Sequence, residues 1–271
     1  IDQLSEYIGY IHQYDINPFW SCYVDYDDKN CQNKILRLVQ DGLTLPNRDY
    51  YLSDDTDMTK IRKKYELFFQ ILCQKLSIHI TPPNWESVIS IENQLAKISW
   101  KESELRDISK TYHKFSVSNL DQQFENFNWL SYFKNQNWVK PSGDIIINQP
   151  DYIKNVLNLI NKSDINKIKD YLKWQLITNT ANLINKDYEA TCFDFFAKVL
   201  SGKQKMAPLW KRVIWRIEKQ RVFDDIISQE YVKKYFSSSS KDKVEKIAND
   251  IKIAFKDRII DLTWMEEATK Q

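Results

Sequence analysis

The sequence of 271 residues predicts a mainly α-helical protein, a multi-helix lobe with a small β-hairpin and few short strands. Only four Gly and seven Pro interrupt the chain, whereas an all-β fold needs turn residues about every eight to twelve positions. Hydrophobic residues make up 42% of the chain and mostly recur at helical spacing. There is therefore enough apolar material for a large helical core.

Two β-prone runs predict the main strand pair. Residues 22–26 and 35–39 are rich in Tyr, Val, Ile and Leu, and the polar residues 27–30 separate them. We therefore expect a hairpin with a long turn. Three consecutive isoleucines at 145–147 predict one further short strand.

Helical periodicity predicts the other elements, and three local signals mark where helices begin. Asn84 is a good N-cap, and Pro150 suits a first helical turn. Ser118-x-x-Asp121 has the capping-box pattern and predicts a helix that runs through Leu130. The predicted helices cover residues 2–15, 58–77, 84 to about 104, 151–161, 164–185, 188–200, 208–221, 228–236 and 241–270, with a loop at 42–49.

The organisation along the chain predicts one domain over residues 1–271. Neither a repeat nor a shift in composition marks a linker, and the hairpin would form a small part at about 20–50 beside the helical remainder. The chain begins at Ile1 without a methionine and reaches Gln271 within an uncapped helical pattern. We therefore expect it to be a piece of a longer protein.

Charge and glycine spacing exclude several classes of function. Lys and Arg number 39 against 37 Asp and Glu, which gives a formal net charge of +2 with the signs interspersed. Such a chain has no field to hold nucleic acid or an anionic membrane. The glycines are too far apart for a phosphate-binding loop, so nucleotide binding by that route is excluded as well.

Spacing predicts no catalytic, cofactor-binding or metal-binding residue in this chain. No two histidines lie one helical turn apart, and no two cysteines have C-x-x-C spacing. Cys22 and Cys31 flank the predicted hairpin, and whether they pair depends on the compartment. The residues considered are His12, His79, His113, Cys22, Cys31, Cys73 and Cys192.

Two further segments have a functional and a structural interpretation. Residues 25–30 begin like a calcium-binding loop, but Lys29 stands at a ligand position and Asn30 where the turn needs Gly, so a hairpin turn is favoured. Residues 208–221 interleave Trp with Lys and Arg like a calmodulin target or a nucleic-acid helix. In a chain of this net charge we favour a surface helix.

Residues 42–52 read Gly-Leu-Thr-Leu-Pro-Asn-Arg-Asp-Tyr-Tyr-Leu, and further landmarks follow in order. They include Tyr65-Glu66, Arg106-Asp107, Phe127-Asn128-Trp129, Pro150-Asp151-Tyr152, Tyr171-Leu172-Lys173-Trp174, Trp210-Lys211-Arg212 and Leu262-Thr263-Trp264-Met265. With these motifs the chain resembles, over most of residues 17–271, the N-terminal, non-catalytic domain of the neprilysin and endothelin-converting-enzyme family of zinc metalloendopeptidases.

The resemblance implies a function for the parent protein. In that family an H-E-x-x-H helix of the C-terminal domain holds the catalytic zinc, so this chain would lack the metal and be inactive alone. It would be a helical lobe that encloses a chamber and admits only oligopeptides. Its partners would be its own C-terminal catalytic domain and oligopeptide substrates, without nucleic acid or membrane contact. A secreted, periplasmic or membrane-anchored location is favoured over the cytoplasm. The alternative is a non-catalytic helical binding or interaction module.

The resemblance gives the motif residues mainly structural roles. Pro46 would fix the loop, and Arg48 with Asp49 would form an ion pair or cap. Residues 210–212 would lock one helix against another, and either Arg48 or Arg212 has a second possible role in lining the chamber. An apolar stripe on the final helix would face the catalytic domain; it comprises Ile251, Phe255, Ile259, Leu262 and Met265.

Overall fold

The computed structural model describes residues 2–77, 80–136, 143–219 and 221–270. They divide into two compact units, Ile1–Gln204 and Lys205–Gln271. Helices dominate both, as the sequence predicts, and the strands lie in the first unit. The helices of the first unit are α1 (Asp2–His12), α2 (Asp49–Leu52), α3 (Thr56–Leu76), α4 (Trp85–Ile98), α5 (Glu102–Leu105), α6 (Ile108–Thr111), α7 (Leu120–Gln123), α8 (Trp129–Asn135), α9 (Pro150–Lys162), α10 (Ile165–Ile184) and α11 (Lys186–Cys192).

A four-stranded sheet lies in the first unit. Its strands are β1 (Trp20–Asp27), β2 (Asn30–Gln40), β3 (Lys114–Ser116) and β4 (Asp144–Ile147), in the order β1-β2-β4-β3. The β1–β2 hairpin is antiparallel, β4 runs parallel to β2, and β3 is antiparallel to β4. The hairpin and β4 are confirmed, but the turn is shorter than predicted because Asp27 already pairs with Asn30.

Two buried clusters form the core of the first unit. One lies between the sheet and α1, α8 and α9, and the other lies among α3, α4, α10 and α11. Helix α10 contributes to both, with Tyr171 in the first cluster and Trp174 in the second. Both residues are fully buried, so α10 ties the two clusters together.

Two of the helix starts predicted from local sequence signals are confirmed. The Asn84 side chain accepts a hydrogen bond from the Ser87 N–H and begins α4, and Pro150 opens α9. Helix α4 nevertheless ends at Ile98, not near residue 104, because Ser99 is extended and α5 begins separately at Glu102.

The capping-box prediction at Ser118 is wrong. Ser118 lies in a 3-10 turn, Val117–Asn119, and its hydroxyl contacts Asn119 instead of a helix N–H. The predicted helix is split into α7 and α8, because the backbone takes a positive φ of 65° at Asn126. Asn128 then caps α8 by accepting from the Ser131 N–H.

The helical segment after α11 changes pitch. Residues Phe193–Val199 form a π-helix that continues α11, so the predicted helix over 188–200 is present with a different hydrogen-bond pattern in its second half. At the N-terminal end α1 stops at His12, three residues earlier than predicted, and Asp15 adopts a positive φ of 57°.

The second unit contains helices α12 (Leu209–Lys219), α13 (Arg221–Tyr235), α14 (Ser238–Ile260) and α15 (Glu267–Lys270). Helix α13 begins seven positions before the predicted residue 228. The single helix predicted over 241–270 is wrong, because α14 ends at Ile260 and a Leu262 N–H bond back to the Ile259 carbonyl closes it. Leu262 and Met265 therefore lie outside α14.

Candidate functional site

The motif loop 42–52 is anchored in the interior of the first unit at Gly42, Leu45 and Tyr51, which are buried. Gly42 has φ +100°, and a Cβ there would lie 2.5 Å from both the Phe19 nitrogen and the Tyr171 hydroxyl. No other residue type fits this backbone and this space. The Tyr171 hydroxyl and the Gln175 amide each donate to the Gly42 carbonyl, at 2.8 and 2.9 Å.

A buried carboxyl group fastens the rest of this loop. Glu92 of α4 is fully buried, and its carboxyl accepts hydrogen bonds from the hydroxyls of Thr44, Tyr51 and Tyr65 at 2.6, 3.1 and 2.8 Å. Burial raises the pKa of Glu92 to about 7, while the hydroxyl donors act in the opposite direction. The indole of Trp174 donates to the Tyr65 hydroxyl at 2.6 Å and extends the network to α10.

Arg48 stands at the N-cap position of α2, but its side chain makes no capping hydrogen bond and no ion pair with Asp49. Its guanidinium binds the backbone carbonyl of Ser99 just after α4, whereas the Asp49 N–H donates to the Asn47 side chain at 3.0 Å. The predicted ion pair between Arg48 and Asp49 is therefore absent from the part of the chain described. Arg48 also lines a cavity of about 130 Å³ with Asp41 and Trp100.

A second cavity, of about 170 Å³, lies against the start of the same loop. Its polar lining comes from Asp15 and Asn17 before β1, from Asp41 and Thr44, and from Gln175 on α10. Asp41 is exposed as a whole residue, but desolvation of its carboxyl raises the pKa to about 6; the Gly42 N–H opposes that rise, and the charge of Asp15 adds to it. Spacing in the sequence gave no signal for this cavity, since its lining residues extend from Asp15 to Phe196.

The histidines and cysteines form no metal centre where the structure describes them. His12 is half-buried against Tyr132, with its Nδ1 2.9 Å from the tyrosine hydroxyl, and desolvation lowers its pKa to about 3. His79 lies outside the described residues. Among those that are described, no three His, Cys, Asp or Glu side chains come together as metal ligands.

The two hairpin cysteines are free. Cys22 pairs in register with Leu38, whereas Cys31 follows Asn30 at the turn, so they lie at opposite ends of the hairpin. Burial raises the pKa of the Cys22 thiol to about 12. A bond between Cys22 and Cys31 does not fit this geometry.

The acidic turn is a hairpin turn, as predicted, and not a calcium loop. The Asp27 carboxylate accepts from the Lys29 N–H at 3.0 Å, the Tyr112 hydroxyl at 2.9 Å and the Lys114 ammonium at 3.1 Å. Asp28 pairs with Arg37 at 2.7 Å. Protein groups therefore already satisfy these carboxylates.

The helices of the second unit expose large apolar side chains. The basic segment 208–221 forms α12, whose Trp210 is 61% exposed, so the predicted helix-locking role of residues 210–212 is wrong for the tryptophan. The Arg212 guanidinium donates to the Ala207 carbonyl at 2.9 Å. On α14, Ile251 and Phe255 are exposed as expected, while Ile259 is half-buried.

One face of α14 is apolar over most of its length. Val244, Ile247, Ile251 and Phe255 are spaced by three and four residues and are each more than half exposed. We call this set the α14 stripe. Exposed apolar surface of this extent is typical of a surface that binds another protein part. As for the bilayer, none of the helices described is long and apolar enough to cross one.

Comparison with known proteins gives one consistent picture. The model of peptidase family M13, N-terminal part, matches residues 1–271. Endothelin-converting enzyme 1 of Mus musculus is 28% identical over 95% of this chain and 34% of its own length. Endothelin-converting enzyme-like 1 of Mus musculus is 27% identical over 95% of this chain and 33% of its own length.

Solved structures share the fold. Zinc metalloprotease Zmp1 of Mycobacterium tuberculosis in complex with an inhibitor superposes with a TM-score of 0.85 at 21% identity, over 100% of this chain and 41% of that one. PepO of Lactobacillus rhamnosis gives 0.76 at 17% identity, over 100% and 42%. The chain spans about a third of the length of the curated relatives it matches.

Proposed function

Because this chain belongs to peptidase family M13, whose model matches it over its whole length, we propose that it is the chamber-forming, substrate-gating domain of a zinc metalloendopeptidase. The reaction of the parent protein is hydrolysis of peptide bonds in oligopeptides. The chain itself takes no catalytic step.

The observation that carries this proposal is the match of the N-terminal family model over residues 1–271, in which the zinc motif does not occur. His12 precedes Gln, His79 precedes Ile and His113 precedes Lys, so no H-E-x-x-H occurs in these 271 residues. The described side chains do not fit a zinc ion either. Zinc, which would polarise a water molecule for attack on the peptide carbonyl, is held by another part of the parent protein.

The partner of this chain is the catalytic domain of the same protein. The α14 stripe and Trp210 of α12 supply apolar side chains for such a contact, and a buried interface core is where apolar and aromatic residues concentrate. We infer oligopeptide substrates, because the enclosed chamber that the family resemblance implies would exclude folded proteins. We place the parent protein outside the cytoplasm, in line with the resemblance to ectoenzymes of the family.

The test uses the complete protein encoded by the parental reading frame. We expect an H-E-x-x-H motif in it, about one zinc ion per molecule, and cleavage of a fluorogenic oligopeptide but not of a folded protein. A variant with the motif glutamate changed to glutamine keeps the zinc and loses cleavage. A complete protein without the motif and without cleavage would overturn the enzymatic role and leave the binding module as the function.

A further inference from the structure

A groove of about 510 Å³ lies between α1 and α10 in the first unit. Its wall is mostly apolar, with Leu4 and Tyr7 from α1 and with Ile165, Ile168 and Leu172 from α10. This volume is typical of a site that takes up several side chains of a partner or a small ligand. We call it the α1–α10 groove, and neither the motif loop nor the α14 stripe contributes to it.

Helix α10 is apolar on two opposite sides. One side carries Tyr171 and Trp174 into the two buried clusters. The opposite side carries four apolar residues, spaced by seven, four and seven positions, which we call the α10 stripe: Ile165, Leu172, Leu176 and Leu183. Ile165, Leu176 and Leu183 are 52%, 39% and 63% exposed, although a helix that is apolar all round is normally buried. The α10 stripe therefore has the composition of a covered surface.

Helix α1 adds aromatic side chains beside the groove. Tyr7 and Tyr10 are neighbours on one side of α1, and Tyr14 follows just after the helix ends. All three are exposed, and the hydroxyls of Tyr10 and Tyr14 lie 3.2 Å apart. Tyrosine is enriched at protein interfaces, because its ring buries apolar area while its hydroxyl keeps a hydrogen bond. The exposed rings extend the apolar surface beyond the groove.

Two lysines bring positive charge to the groove. Lys169 and Lys173 lie four residues apart on α10, and neither has an ion-pair partner among the residues that the structure describes. A second apolar groove, of about 500 Å³ between α3 and α11, is lined by both acids and bases, and Lys75 there pairs with Asp187 at 2.7 Å. No acid lines the α1–α10 groove in the part of the chain described, so its charge is complementary to an acidic partner.

We propose that the α1–α10 groove binds an amphipathic helix from the part of the same polypeptide that lies outside these 271 residues. The apolar side of that helix covers the α10 stripe, and two of its Asp or Glu side chains pair with Lys169 and Lys173. The two lysines are about 6 Å apart along α10, which is the spacing of acids at positions i and i+4 of a partner helix. The α10 stripe is about 27 Å long, so about five turns of helix cover it.

The source of this helix is argued from the length of the relatives. The chain spans 34% of endothelin-converting enzyme 1 of Mus musculus and 41% of Zmp1, so most of such a protein lies outside the matched region. A helix of the same polypeptide is held at a high effective concentration, which favours it over a separate protein. The inference rests on the proposed function only in treating the chain as one domain of a longer protein, and it needs neither zinc nor peptide cleavage.

The first test compares the complete parent protein with the 271-residue chain. Lysines are acetylated with a limiting amount of an N-hydroxysuccinimide ester, and mass spectrometry gives the rate at each position. Lys169 and Lys173 should react at least about tenfold more slowly in the complete protein, because amines in a covered ion pair are shielded from the reagent. Lys167, exposed on the same helix but outside the groove, is the matched control and should react equally in both. Equal rates at Lys169 and Lys173 in the two proteins would overturn the proposal.

Carbodiimide cross-linking of the complete protein identifies the occupant, because it joins an amine to a carboxylate in contact with it. We expect Lys169 or Lys173 to be linked to an Asp or Glu outside residues 1–271. A link to an acid within residues 1–271 would instead assign the groove to this chain or to a second copy of it. Protection without any such link would refute the acidic pair. The expected link in a complete protein without peptidase activity would refute the proposed function and leave this inference intact.

Charge reversal tests the pairing by a separate measurement. The double variant Lys169→Glu and Lys173→Glu should lower the thermal midpoint of the complete protein by about 3 °C or more, because like charges then face each other. The same double variant should leave the midpoint of the 271-residue chain unchanged, which shows that the first unit still folds. Lys167→Glu should have no effect in either protein. Equal effects of the double variant in the two proteins would contradict a partner outside the chain.

Discussion

The hydroxyl of Tyr65 on α3 donates a 2.8 Å hydrogen bond to the carboxyl of Glu92 on α4, and both residues are fully buried. The same carboxyl binds Thr44 and Tyr51 of the motif loop. The Glu92 carboxyl therefore links α3 and α4 to the motif loop 42–52. Its protonation should be visible in the stability of the whole first unit.

We predict that Glu92 makes the first unit less stable as the pH rises from about 5 to 7. The pKa of Glu92 is raised in the folded state to about 7 from an ordinary 4.5, so the folded state binds the proton more tightly than the unfolded state. The free energy of unfolding is then highest below pH 4.5 and falls until the pH passes 7. The difference amounts to about 3 kcal/mol.

Urea unfolding of the wild-type chain and of Glu92→Gln at pH 5, 6, 7 and 8 measures this effect. In the variant, the free energy of unfolding should depend much less on pH between 5 and 7. The remaining dependence comes from Asp41, whose pKa is raised to about 6. Glu86→Gln, at an exposed position of the same helix, is the matched control and should follow the wild type. Parallel pH profiles of Glu92→Gln and the wild type would contradict the assignment.

We predict that Gly42→Ala destabilises the chain by about 3 kcal/mol or more, because an added Cβ meets both a backbone nitrogen and a buried tyrosine hydroxyl at 2.5 Å. Gly143→Ala is an unusually close control. Gly143 has φ +101°, against +100° at Gly42, but nothing lies within 4 Å of its added Cβ. The Gly143→Ala variant should lose only about 1 kcal/mol of stability, the free energy of backbone strain at a positive φ. Thermal unfolding of both variants gives the comparison, and equal losses would show that strain alone is responsible.

Sequence patterns predicted the elements whose signals are local. The β1–β2 hairpin consists of two β-prone runs separated by a short polar turn. Asn84 and Pro150 act on the backbone directly beside them, so neighbouring residues alone determine where α4 and α9 begin. The helix predicted to start at Ser118 does not form as one piece. The sequence matches a capping box there, but the backbone takes a positive φ at Asn126 and interrupts the helix. The motif at residues 42–52 could be recognised in the sequence, but its hydrogen bonds to Glu92 could not be predicted from it.

The candidate sites depend on contacts between distant residues. Glu92 lies 48 positions from Thr44 and 27 from Tyr65, and it looked like an ordinary charged residue on an amphipathic helix. Gly42 stood out only as part of the motif, because its close approach to Phe19 and Tyr171 cannot be seen in the sequence. Exposure of the α14 stripe was anticipated in part, because an apolar face was visible in the sequence, whereas the end of α14 at Ile260 was not.

We predict that Cys31 remains unpaired with Cys22 and reacts first with iodoacetamide. Cys31 is exposed at the turn, while burial raises the pKa of Cys22 to about 12 and those of Cys73 and Cys192 to about 11. The thiolate is the reactive form, so these three thiols react slowly in the folded chain. Mass spectrometry of the native chain at pH 8 identifies the labelled site.

The variant Cys31→Ser should lose the fast phase of labelling and leave the slow phase unchanged. Digestion without a reductant checks the pairing directly. A peptide that joins Cys22 to Cys31 would show that the hairpin adopts another register, since in the observed one the two residues are separated by about five rows of the strand pair, or about 17 Å.

We predict that α14 exchanges its amide hydrogens much faster than α3 in the 271-residue chain. The two helices have 23 and 21 residues, so length and end effects are matched. Helix α3 buries Tyr65, Phe68 and Leu72, whereas α14 has no buried residue. A helix without tertiary packing is marginal in water, so the protection of α14 should be lower by roughly 100-fold or more.

Hydrogen exchange followed by mass spectrometry gives both helices in one experiment, and the complete parent protein provides the second arm. If the α14 stripe packs against the catalytic domain, the amides around Ile247 and Ile251 become protected in the complete protein while those of α3 do not change. Strong protection of α14 already in the 271-residue chain would mean that the stripe is covered within this chain, and the contact with the catalytic domain would then have to involve other residues.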